Sequence, residues 1–133
     1  MQRNSVNKVL LVGRTGSDAD VRYTTKGMAI ANISVATTET RKDGKGDFQD
    51  TTEWHRVVVF GKIAEFTENY VKKGALIYVE GRLQTRQWED KEEKRHYMTE
   101  VVGEKLTMLG GWKKGGEESA TVAVAEAEEE VPF

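Results

Sequence analysis

The chain has 133 residues, 20 basic and 22 acidic side chains and no cysteine. That length suits one domain with one core, and the missing cysteine excludes a disulfide framework, a thiolate metal site and a thiol nucleophile. The charge is uneven: residues 113–133 hold two lysines and six glutamates, which leaves eighteen basic and sixteen acidic residues before them. A basic body with an acidic tail hints at a polyanionic partner.

In chain order the first element is "VNKVLLVG", apolar, β-branched and stopped by a glycine. No apolar run around it has the length of a signal peptide or a membrane span. The "GRTGSD" that follows lacks the lysine and spacing of a phosphate-binding loop and reads as a turn. "MAIANISVATTET" alternates, with Ala29, Ala31, Ile33 and Val35 on one face. "DGKGDFQD" has the composition but not the order of a calcium loop, so it reads as a hairpin connection. "TTEWHRVVVFG" is a third strand, with His55, Val57 and Val59 on one side. "KIAEFTENYVKKG" breaks the pattern, placing Ile63, Phe66, Tyr70 and Val71 at helical spacing before two lysines and a glycine. "ALIYVEGRLQTRQWED" is again a strand, with Ile77, Val79 and Leu83 together and Gly81 between them. "DKEEK" is a hairpin tip, and "RHYMTEVVGEKLTML" returns. Three strands, a helix and two strands match the five-stranded Greek-key OB-fold barrel, an all-β fold.

Successive side chains alternate between the faces of a strand. Opposite Val57 and Val59 stand Trp54, Arg56, Val58 and Phe60. Opposite Val79 and Leu83 stand Tyr78, Glu80, Arg82, Gln84, Arg86 and Trp88. Large aromatics interleaved with arginines on an outer wall suit single-stranded nucleic acid: bases stack on rings and phosphates need cations. The alternative is a phase reversed by a bulge, with the rings in the core; it buries Arg56, Arg82 and Arg86 together. His55 and His96 have no accompanying ligand pattern, so a zinc site is not expected. Nor is a catalytic triad visible. An RNA- or oligosaccharide-binding barrel remains open, as does an adaptor working mainly through the tail.

"TEWHRVVVFGK", "KGALIYVEGRLQTRQW" and the ending "EEEVPF" resemble the bacterial single-stranded DNA-binding proteins. The resemblance covers about residues 4–110 and resumes at the last six. It implies an OB-fold domain over 1–110, a flexible linker over 111–127 and an acidic protein-interaction tip over 128–133. It implies a homotetramer, no enzymatic activity, no cofactor and no metal. The partners are single-stranded DNA and, through the tip, proteins of replication, recombination and repair, in the cytoplasm at the nucleoid. The family's stacking residues fall on Trp54, Phe60 and Trp88. Its phosphate contacts fall on Arg3, Lys8, Arg22, Arg56, Lys62, Lys73 and Arg86. His55 and Tyr78 fall at subunit contacts, and Trp112 is a bystander. Arg41 stands where the family has a further stacking tryptophan, with Phe48 a substitute nearby. Glu128, Glu129, Glu130, Val131, Pro132 and Phe133 form the tip, with glutamates where aspartates are usual.

Overall fold

The computed structural model describes residues 2–110 and a strand at 123–126. The strands are β1 (Val9–Thr15), β2 (Asp20–Tyr23), β3 (Ala29–Lys42), β4 (Phe48–Phe60), β5 (Leu76–Glu89), β6 (Arg95–Gly110) and β7 (Ala123–Glu126), with one helix, α1 (Lys62–Tyr70), between β4 and β5. The sheet runs β1-β5-β6-β4-β3-β2, and β1 also pairs with β3. That last pairing, Arg14 with Ala36 and Thr15 with Val35, closes β1, β3, β4, β5 and β6 into a five-stranded barrel.

The alternating residues fill the barrel. Ala29, Ala31, Ile33 and Val35 of β3 meet Val57 and Val59 of β4, Ile77 and Val79 of β5, and Leu106 and Met108 of β6. All are buried, and each of the larger side chains contributes roughly 1.5–3 kcal/mol by leaving water. The curvature that closes the wall has a local cause. A register shift lies at Glu80/Gly81, where Gly81 pairs with Gly103. A Cβ on Gly81 would sit 2.1 Å from the Val102 carbonyl oxygen, and one on Gly103 would sit 2.7 Å from a Val59 methyl. Two facing glycines at a bulge let the β5–β6 ladder bend sharply inward. Leu83 keeps the face of Ile77 and Val79, pairing with Val101, but it lies past the bend and is exposed. The Asn7 amide holds that end of β5, accepting from Leu83 N and donating to Leu83 O, both at 2.9 Å.

The helix plugs one end of the barrel with Ile63, Ala64 and Thr67. It ends earlier than its lysines and glycine suggest. Val71, its C-cap, is already extended and buried, and its N–H bonds Thr67 O. Gly74, in the left-handed region at φ 85°, serves the turn into β5 instead.

Two strands exceed the expected five. The short β2 flanks β3. β7 runs antiparallel to β6 from Lys105↔Glu126 to Met108↔Ala123, within the stretch read from sequence as linker. The rest of that linker, Trp112 and the tip at 128–133 lie outside the described residues. Among the described residues no helix is long and apolar enough to cross a membrane.

Candidate nucleic-acid interface

Cross-strand partners share a face, so the register assembles the outer wall. Val102 pairs with Val58 of β4 and with Arg82 of β5. From that row the outer face carries Trp54 and Arg56 on β4, Glu100, Met98 and His96 on β6, and Gln84, Arg86 and Trp88 on β5. β3 adds Ile30, Asn32, Ser34 and Ala36. The expected phase holds: Val57 and Val59 are fully buried while Trp54 is 59% and Trp88 46% exposed.

The two indoles are mounted differently. Trp54 lies over Gly16, where a Cβ would come within 2.5 Å of the indole ring. Gly16 is itself fixed to β3 through its N–H to Ser34 O at 3.0 Å. Trp88 stacks on its cross-strand partner His96, with centroids 5.3 Å apart and planes at 22°.

Phe60 departs from the expectation of an open stacking ring. It holds the expected face but is only 9% exposed, in a small outer cluster with Val58 and Val102 against which Met28 and Ile30 pack. Alternation identified its face, but not the side chains that cover it.

Between the indoles the charges are organised by a residue that the sequence reading missed. The Glu100 side chain is fully buried on β6. Arg86 Nε lies 2.7 Å from its Oε1, and Arg86 Nη2 donates to Oε2 at 3.3 Å. Arg56 Nε is 4.0 Å from Oε2. Oε1 has no aligned hydrogen-bond donor, so its contact with Arg86 Nε is one of charge. Both arginines remain about half-exposed, with room to meet an incoming anion. Glu100 directly precedes Val101 and Val102 in sequence, but only the strand register puts it on the face of Arg56 and Arg86, and a buried carboxylate needs such partners.

The remaining candidates scatter. Lys8 sits at the β1 side of this wall, 3.0 Å from Glu80. The hydrogen bond to Glu80, then its charge, holds the Lys8 amine above its ordinary pKa. Arg22, on β2, is exposed and pairs with Asp20 at 3.6 Å. Arg3 is exposed near the N-terminus, Lys62 opens α1, and Lys73 lies in the turn before β5, its N–H bonded to Asp18. Arg41 does not join Trp54. It pairs with Gln49 on the opposite face of β3–β4, with its guanidinium 3.4 Å from Glu39. Phe48 shares the Trp54 face by register and is exposed. His55 is half-buried, its Nε2 2.8 Å from Thr37 Oγ1. Tyr78 is half-buried on the outer face of β5. Among the described residues no group of three or more His, Asp or Glu side chains converges as a metal site.

A closed five-stranded barrel with a basic, aromatic outer wall is the OB-fold type of ligand-binding protein. Residues 6–109 match the model of the Single-strand binding protein family, and the chain belongs to that family. A Plasmodium falciparum SSB solved in complex with single-stranded DNA is 34% identical, with a TM-score of 0.70 over 77% of this chain and 90% of that one. A deletion mutant of the single-stranded DNA-binding protein from Thermus aquaticus is 31% identical, with a TM-score of 0.65. That match covers 77% of this chain and 56% of the Thermus chain.

Proposed function

We propose that this protein binds single-stranded DNA without sequence preference, as a non-catalytic coating protein of replication, recombination and repair. The observation that carries it is the outer wall, where two exposed indoles flank two half-exposed arginines. Bases stack on Trp54 and Trp88, and the arginines meet phosphates released from their counterions. Phe60 supplies a firm apolar floor to the same track, and Lys8 and Arg22 extend its basic rim. Arg3, Lys62 and Lys73 add charge at its ends, and Phe48 lengthens it along the first hairpin. Membership of the family and the likeness to an SSB solved with DNA support this reading.

Four copies of the barrel supply a path long enough to wrap a strand, with His55 and Tyr78 at contacts between copies. The tip, Glu128 to Phe133, recruits partner proteins in the cytoplasm at the nucleoid. Its acids meet a basic rim, Pro132 lowers the entropy lost on docking, and Phe133 fills an apolar pocket.

Replacing Trp54 and Trp88 together by alanine should cost about 2–6 kcal/mol of oligo-dT affinity, one stacked base for each ring, with unchanged circular dichroism. An affinity equal to wild type in a folded double mutant overturns the proposal. Deleting Phe133 should remove partner capture and leave dT binding intact; loss of both together refutes an independent tip.

A further inference from the structure

The tip of the β5–β6 hairpin holds a polar clasp that the stacking of Trp88 alone does not require. Asp90 accepts through Oδ1 from the backbone N–H groups of Glu92 and Lys94, at 2.8 and 3.0 Å. Its second oxygen, Oδ2, lies 2.7 Å from His96 Nε2. An ionised carboxylate only accepts, so Nε2 carries the proton and donates. The clasp sets the plane of the imidazole, and that plane lies 22° from the Trp88 indole at 5.3 Å. The His96 side chain is nevertheless 44% exposed, on the Trp88 face of the arm. It is thus a ring that is fixed from behind and open in front.

We propose that His96 is a further DNA-contacting residue: its imidazole is a second stacking surface beside Trp88, and Asp90 is its positioning residue. The inference rests on the single-stranded DNA reading above. Stacked on each other, the two rings turn one face of each outward, so His96 offers a base its own face next to Trp88, and a prealigned ring loses less freedom when a base arrives. The hydrogen bonds from His96 and then Lys94 hold the Asp90 carboxyl below its usual range, which keeps the acceptor ionised.

The test uses the full chain and fluorescently labelled oligo-dT, with affinity read by anisotropy. His96→Ala should weaken binding about fivefold or more, the lower end of what one stacked ring contributes. His96→Phe keeps a ring and should recover most of that loss. Asp90→Asn should weaken binding by less than His96→Ala, and should have no further effect in the His96→Phe background, since the amide oxygen can keep the two turn bonds and only histidine uses Oδ2. Binding by His96→Ala within twofold of wild type overturns the proposal, as does a His96→Phe protein no better than alanine. An equal cost of Asp90→Asn in both backgrounds overturns the positioning role. These outcomes leave the parent reading standing; a wild-type protein that fails to bind dT at all refutes the parent reading instead.

Discussion

The β3–β4 and β5–β6 hairpins are built alike and used differently. Each joins a strand with alternate residues buried in the barrel wall, β3 or β5, to one with consecutive residues buried there, β4 or β6, and continues as an arm that is mostly exposed. Each turns on an aspartate, Asp43 or Asp90, whose Oδ1 accepts two backbone N–H groups. Each carries one exposed tryptophan. The first arm seats Trp54 at its root, against Gly16 of the barrel body, whereas the second seats Trp88 near its tip, against its own His96. One ring is therefore referenced to the core and the other to a hairpin.

Glu100 is where the arms are joined, since its carboxylate faces Arg56 of one and Arg86 of the other. The largest effect on the comparison should come from removing it. Glu100→Ala deletes a buried charge and its partner bonds, and should destabilise the fold by about 1–3 kcal/mol. It also frees two arginines, so low-salt affinity for dT should rise and the salt dependence should steepen. Urea unfolding and a salt titration check the two halves. Lower stability together with an unchanged salt slope would mean that the arginines are not in the DNA path.

A smaller effect separates the two mountings. Gly16→Ala places a methyl within 2.5 Å of the Trp54 ring, and an indole can swing aside more readily than backbone. Stability should change by less than about 1 kcal/mol, but dT affinity should fall severalfold as the platform tilts. In a Trp54→Ala background the same substitution should be silent. A loss that persists there places the effect in the loop and not in the ring.

The walls of both hairpins were legible in the sequence because β-branched residues recur there with period two. Ala29, Ala31, Ile33 and Val35, Val57 and Val59, and Ile77 and Val79 all point inward as expected. The arms were legible only in part. Period two tells which face a residue takes, but not what packs on that face, so it cannot show Phe60 buried in a cluster with Val58, Val102, Met28 and Ile30. Arg41 stands where the family has a further tryptophan, and its odd spacing from Ala36 puts it on the face opposite Trp54. β2 escaped because four residues with one aliphatic among them, Asp20–Tyr23, show no period. Glu100 escaped because an acid in a strand that also carries Glu104 reads as solvated until its partners are placed.

The smallest effect concerns the tips, where turns with the same hydrogen bonds place different residues at one left-handed position. Gly46 donates to Asp43 O at 3.2 Å, and Glu93 donates to Asp90 O at 3.1 Å. Both occupy the left-handed region, Gly46 at φ 86° and Glu93 at φ 62°. Glycine takes that conformation freely, but a Cβ there meets the following carbonyl at a cost of about 1–2 kcal/mol. The second arm therefore holds at its tip a strain that the first avoids. Asparagine tolerates the region better than glutamate without glycine's entropy in the unfolded chain. Glu93→Asn should accordingly stabilise the protein by about 0.5 kcal/mol, and Gly46→Ala should destabilise it by about 1 kcal/mol. Shifts of opposite sign in the urea midpoint check the pair. If both variants lose stability, Glu93 is held by contacts of its side chain that outweigh its backbone, and the two tips are not equivalent turns.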